Sequence, residues 1–212
     1  MALTFYCGSG SPYAWRVWLT LEHKQIPYEL KMLSFDRHET RTPEFLAINP
    51  RGRVPAILHD GFRLWESLAI LEYLEERFPQ PPLLAGDAKA RATTRRLMIE
   101  ADGDLNAASR RMFEATLFAR EPVAPVTLAE AQDGIVEQLE RLAAELGGDY
   151  FVGALSLADF ALYPHVRLQR RIDERQPGKG IGDRLPAKLI PWMKRIEALP
   201  YYAKTIPPHW KA

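Results

Sequence analysis

The chain has 212 residues, 47% of them hydrophobic, with 28 lysines and arginines against 27 aspartates and glutamates. That length holds one large domain or two small ones with a real core, and a formal net charge of +1 supplies no field that would gather nucleic acid or anionic lipid. Apolar runs are short and interrupted by charge, and the first residues lack a basic stretch followed by an apolar one, so neither a membrane span nor a signal peptide is expected.

Leu3 to Tyr6 is a compact apolar strand, and Cys7, Gly8, Ser9 and Gly10 after it form a turn. Ser11 suits a helix N-cap and Pro12 a first helical position, with Ala14, Val17, Trp18 and Leu21 recurring at the spacing of one buried face. This helix ends near Lys24. Tyr28 to Leu33 reads as a second strand, Pro43 to Ile48 as a short helix and Val54 to Leu58 as a third strand. Asp60-Gly61 suits a primed two-residue turn, so Phe62 to Leu64 pairs antiparallel with the third strand. Ser67, Ile70, Leu71, Leu74 and Phe78 mark the inner face of another helix, and Pro79, Pro81 and Pro82 stop it and stiffen a linker.

After Asp87 the pattern is helical throughout. Leu97, Ala101, Leu105, Ala108 and Met112 make one long core stripe, and Leu128 to Leu146 supplies a second helix against it. Ser156-Leu157-Ala158-Asp159 is a capping-box variant with Leu155 and Phe160 placed as a hydrophobic staple, which makes Asp159 structural. Pro164 falls inside the same helix, where a kink is expected. Two domains follow, residues 1–80 in the order β-α-β-α-β-β-α and residues 88–212 all helical, with a linker at 81–87. The first order is that of a thioredoxin-like α/β domain, two parallel strands joined by a helix and completed by a terminal hairpin.

The lone cysteine, Cys7, excludes an internal disulfide and any Cys-x-x-Cys redox or zinc site, and suits a reducing, cytoplasmic setting. His23, His59, His165 and His209 show no metal-ligand spacing, so no metal is expected.

Fold alone does not give function. Ser11-Pro12-Tyr13-Ala14-Trp15-Arg16-Val17, Asn49-Pro50-Arg51-Gly52-Arg53-Val54-Pro55 and Trp65-Glu66-Ser67-Leu68-Ala69-Ile70 together resemble the glutathione transferase family. The resemblance runs over nearly the whole chain. It implies that family's fold, a thioredoxin-like α/β domain followed by an all-α helical bundle, with glutathione as co-substrate, a small electrophile as second substrate, and a homodimer.

A thiol with a pKa of about 8.5 is only a few per cent thiolate at neutral pH. Lowering that value by roughly two units takes about 2.7 kcal/mol of preference for the anion. A hydroxyl hydrogen bond to an anion contributes about 1.5 to 3 kcal/mol, and a helix N-terminus about 0.3 to 1, rising to about 2 when partly buried. Ser11 stands where both act, as a plain N-cap or as a donor to the glutathione sulfur, and the resemblance assigns it the second role. Serine there favours thiolate activation over thiol exchange, because it cannot form the mixed disulfide that exchange requires. Cys7 reads as a small buried residue ending the first strand. Tyr6 is the rival activator, since some classes of the family use a tyrosine near the end of this strand, although an aromatic strand residue is its ordinary reading. Tyr13 and Trp15 line or support the mouth of the site.

Pro55 has no amide hydrogen for a central strand. The resemblance implies a cis peptide that turns the N–H and C=O of Val54 toward the cysteinyl unit of glutathione, a strand-addition mode of recognition, and an edge-strand proline is the alternative. Arg53 stands where relatives often have glutamine or lysine, and reaches a glutathione carboxylate with different geometry. Ser67 and the helix start behind it suit the γ-glutamyl carboxylate and Glu66 its ammonium, against plain readings as a cap and a solvated charge. Arg41 and His38 lie in the loop where family members place a basic residue for the glycyl carboxylate. Met112, Phe113 and Thr116 are candidate walls for the electrophile, with Arg111 as an anion contact. A methionine and phenylalanine at helical spacing also serve as core.

Three functions compete. The first is conjugation of glutathione to a small electrophile. The second is glutathione-dependent cis-trans isomerisation of an unsaturated diacid, of the maleylacetoacetate type. Zeta-type relatives carry paired serines and a cysteine around the activating position, whereas this chain has Ser11-Pro12-Tyr13, which ranks that reading second. The third is a non-enzymatic binding or assembly module, disfavoured because Ser11, Val54-Pro55 and Glu66-Ser67 are all kept.

Overall fold

The computed structural model describes residues 2–119 and 124–210. The chain divides into two units, Met1–Leu83 together with Leu199–Ala212, and Leu84–Ala198.

In the first unit β1 (Leu3–Gly8), α1 (Pro12–His23), β2 (Glu29–Leu33), α2 (Pro43–Ile48), β3 (Ala56–His59), β4 (Phe62–Trp65) and α3 (Ser67–Arg77) follow in the expected order. The sheet runs β2-β1-β3-β4, with β1 and β2 parallel and the other two pairs antiparallel. Successive residues of β1 face opposite sides of the sheet, and each side is covered. Phe5 meets Trp18 of α1 with ring centres 6.5 Å apart, and Tyr6 meets Phe45 of α2 at 5.5 Å. α1 packs beside α3, and Phe5, Val17, Leu21, Ile57, Ile70 and Leu71 are fully enclosed.

Local chemistry sets the boundaries. Asp60 and Gly61 both have positive φ, 48° and 87°, the primed turn that matches the twist of the hairpin. β3 starts later than the apolar run suggests, because Pro55 has no N–H to give the ladder; pairing begins at Ala56, flanked by Tyr6 and Trp65. Lys24, just past α1, anchors the proline-rich segment, with Nζ donating at 2.8 Å to the carbonyls of Phe78 and Pro81 and 2.7 Å from the Glu75 carboxylate.

The second unit comprises α4 (Ala88–Asp102), α5 (Asp104–Ala115), α6 (Pro125–Glu145), α7 (Leu157–Arg175) and α8 (Leu189–Glu197). All five positions of the predicted stripe are buried, but two helices carry them rather than one. Gly103, with ψ of −116°, leaves helical geometry between α4 and α5, a departure that costs glycine less than other residues. At the start of α7 the capping box forms, and the helix continues through Pro164 to Arg175. The only strand pairing among the described residues of this unit is an isolated bridge, Val152 with Ala154. No helix among the described residues is long and apolar enough to cross a membrane.

Residues 199–212 correct the predicted boundary, since they group with the first unit. α9 (Tyr202–Thr205) lies against α1. Trp15 Nε1 donates to Thr205 Oγ1 at 3.1 Å, His23 Nδ1 lies 2.7 Å from the Tyr201 hydroxyl, and Lys204 pairs with Glu22 at 2.7 Å. The tail is short and broken by Pro200, Pro207 and Pro208, so periodicity alone attached it to the nearest helices in sequence. Specific side-chain partners on α1 claim it instead.

Candidate active site

The sheet topology brings three distant segments together. β1 and β4 run in one direction and β3 in the other, so the C-terminal ends of β1 and β4 adjoin the N-terminal end of β3. Tyr6 sits opposite Ala56, and Ala56 opposite Trp65. Gly8–Ser11, Val54-Pro55 and Glu66-Ser67 therefore converge at one end of the sheet. Gly8 permits that approach, because a Cβ there would come within 2.9 Å of Val54 Cγ2.

Ser11 is the N-cap of α1, and its Oγ accepts from the Ala14 amide at 3.3 Å. Its own amide donates to the Gly8 carbonyl at 3.1 Å, which closes the turn. A serine hydroxyl carries one donor hydrogen besides its acceptor lone pairs. Capping uses a lone pair and leaves the O–H hydrogen available to an anion, so the cap and the donor are two uses of one group. Ser11 is half-buried, which gives partial desolvation without closing off access.

Cys7 is its chemical opposite. Enclosure pushes its thiol up to about 12, and its Sγ lies 3.8 Å from the Gly8 carbonyl. Such a thiol stays protonated and unreactive at neutral pH. The Tyr6 ring packs on Phe45 of α2 as a sheet-face aromatic. Trp15 is 2% exposed and engaged with Thr205, so it supports the loop from within, while half-buried Tyr13 stacks with the Arg16 guanidinium at 5.1 Å.

The Val54-Pro55 peptide is cis, as the resemblance implied. Val54 lies outside the ladder, and its N–H and C=O make no main-chain hydrogen bond to a described residue. Asn49 holds the loop that delivers it: Nδ2 donates to the Arg53 carbonyl at 2.6 Å, and Oδ1 accepts from the Arg51 amide at 3.0 Å. Arg41 comes alongside the same loop, since a Cβ on Gly52, where φ is +60°, would lie 2.8 Å from its guanidinium. Arg53 and His38 are exposed.

Glu66 has φ of 68° and ψ of 110°, a conformation that a non-glycine residue adopts only under constraint from its surroundings. The bend places Ser67 at the first turn of α3, 5% exposed, with no side-chain partner among the described residues competing for its hydroxyl. A buried hydroxyl beside helix N-terminal amides is an anion site in waiting.

Residues 10–77 match the family described as "Glutathione S-transferase, N-terminal domain". A solved structure of a glutathione S-transferase from the Antarctic clam Laternula elliptica superposes with a TM-score of 0.86 at 30% identity, covering 100% of this chain and 94% of the other. The chain belongs to the glutathione S-transferase family. Maleylacetoacetate isomerase of Rattus norvegicus is 34% identical over 74% of this chain and 73% of its own length, and glutathione S-transferase A of Pleuronectes platessa is 28% identical over 98% and 92%.

The sequence-predicted residues of this glutathione transferase divide between its two units. Ser11, Arg41, Arg53, Val54, Pro55, Glu66 and Ser67 all belong to the first. Arg111, Met112, Phe113 and Thr116 belong to the second, on α5 and its end. Met112 is fully buried, and the Thr116 hydroxyl donates to its carbonyl at 2.5 Å. Half-buried Phe113 packs against Phe118 at 5.9 Å, and Arg111 is exposed. Two contributors lay beyond sequence reasoning. Asn49 opens the Asn49–Pro55 motif without an evident role, because its partners are main-chain atoms of a loop whose path periodicity does not give. His209, whose Nδ1 is 2.5 Å from Ser9 Oγ, gave no signal at all across 200 positions of separation.

Proposed function

We propose that the chain activates glutathione through Ser11 and adds the thiolate to a small electrophile. The observation that carries this reading is the relay at the start of α1. Ala14 N–H donates to Ser11 Oγ, and the Ser11 hydroxyl is left to donate to sulfur. Donation into Oγ polarises its O–H, so the helix start acts on the anion through the hydroxyl. The glutathione thiol gives its proton to solvent, the thiolate attacks the electrophile, and a C–S bond forms as the leaving group or π electrons are displaced.

The remaining residues are proposed to hold the tripeptide. Val54 N–H and C=O pair with its cysteinyl unit, Ser67 and the α3 N-terminus take the γ-glutamyl carboxylate, and Glu66 takes the ammonium. Arg41 and Arg53 take the glycyl carboxylate. Tyr13 and Trp15 border the thiol. A cytoplasmic homodimer active in detoxification fits this reading. The similarity to the rat isomerase favours a second one, isomerisation of an unsaturated diacid, in which the thiolate adds reversibly and glutathione is released unchanged.

A substrate panel tests both. Turnover of an aryl halide, a peroxide and maleylacetone is measured with glutathione in the wild type and in Ser11→Ala. Loss of Ser11 is expected to raise the bound thiol's pKa by about one to two units and to cut turnover about 10- to 100-fold at neutral pH. Undiminished turnover in Ser11→Ala would remove the serine from the mechanism. Maleylacetone as the one productive substrate would select the isomerase reading.

A further inference from the structure

We propose that the C-terminal tail is a working part of the thiolate site, with His209 a positioning residue that fixes the loop carrying Ser11. The inference rests on the Ser11 reading above and adds the group that holds the donor in place.

The loop Gly8–Ser11 has little rigidity of its own. Two of its four residues are glycines, and Gly10 sits at φ of +84°. One internal hydrogen bond, Ser11 N–H to the Gly8 carbonyl, closes it. A hydroxyl donor weakens steeply as its angle opens, so a loop this permissive needs an external support to keep Ser11 aligned.

The tail supplies that support on both sides of Ser11 in sequence. Before it, His209 Nδ1 lies 2.5 Å from Ser9 Oγ, and the imidazole approaches Gly10 so closely that a Cβ there would stand 2.8 Å from its Cε1. After it, the Trp15 indole donates to buried Thr205 and stacks edge-on against Trp210, with ring centres 5.1 Å apart. Between these contacts lies a narrow crevice, bounded by Cys7–Ser11 on one wall and by Thr205 and Pro207 on another. Gly10 thus suits the loop by its backbone angle, and the imidazole occupies the space beside it. Ser9 is the one loop side chain besides Ser11 able to hydrogen-bond strongly, and the tail holds it.

The bound glutathione thiol is titrated by its thiolate ultraviolet absorbance in the wild type, His209→Ala, His209→Gln, Ser9→Ala, the Ser9/His209 double alanine variant and Ser11→Ala, alongside kcat, KM and melting temperature. His209 is exposed, so its replacement leaves the core intact. In His209→Ala the thiol pKa is expected to rise by about half a unit and kcat below neutral pH to fall about threefold, with KM for glutathione within about twofold. His209→Gln, which can still hydrogen-bond to Ser9, restores both, and the double variant is no worse than either single one. An unmoved thiol pKa in His209→Ala, failure of Gln to rescue, or additive effects of the two alanines would overturn the proposal. If Ser11→Ala shifts the thiol and His209→Ala does not, only the tail's role falls. If Ser11→Ala leaves the thiol unmoved, the serine reading falls and this proposal with it.

Discussion

Cys7 and Ser11 stand four positions apart and are chemically opposite for one reason, burial. The thiol of Cys7 lies within the sheet's covered face and is pushed up to about 12, while the half-buried Ser11 hydroxyl keeps a hydrogen to donate. Native Cys7 is expected to resist a thiol reagent at neutral pH and to react fully once denatured. The folded chain also keeps that proton to higher pH than the unfolded chain does. Its stability is therefore intact below the ordinary thiol range and falls as pH rises from about 9 toward 12, by up to about 1.4 kcal/mol per unit. Urea unfolding at mildly and strongly alkaline pH checks this, and a decline as steep in Cys7→Ala would assign it to other groups. Both residues were legible as types: a small strand-end residue and a helix cap. That the cap leaves its donor hydrogen unused needed the 3.3 Å bond from Ala14.

Among the elements, α7 is the one whose start the sequence announces most fully. Ser156 and Asp159 close a capping box, and Asp159, with no exposure, also accepts from the Phe151 amide at 3.2 Å and from Trp192 Nε1 at 2.9 Å. Burial pushes its carboxyl up, and four donors, the Ser156 hydroxyl and amide, the Phe151 amide and the Trp192 indole, oppose that push. Asp159→Ala leaves buried N–H groups of Phe151, Ser156 and Trp192 without their acceptor and is expected to destabilise by about 3 kcal/mol or more, read in urea unfolding. A loss under about 1 kcal/mol would mean that water or rearrangement replaces the carboxylate. The box was readable because its partners are three residues apart; the Trp192 bond spans 33 positions and was not. The α4–α5 boundary failed the other way, since the apolar stripe continues unbroken across Gly103 and periodicity cannot register one glycine turning the backbone.

At the scale of the whole molecule, ligand binding couples to folding. Glutathione at about a hundred times its Kd should raise the unfolding free energy by about 2.7 kcal/mol, visible as an upward shift in calorimetric melting. If the two units melt separately, the transition of the one holding Ser11, Val54 and Ser67 is the one expected to move; no shift at saturating glutathione would contradict binding there. The amino-acid sequence by itself determined the α/β and helical halves, nearly every strand and helix of the first unit, and the three segments that converge at one end of the sheet. Those features depend on apolar period, turn residues and caps, all of which act within a few positions. Tertiary structure alone decided that residues 199–212 return to the first unit, that Asn49 braces the loop before Val54, and that His209 meets Ser9. Such contacts arise where the packed chain happens to place side chains, and no local pattern of residues encodes them.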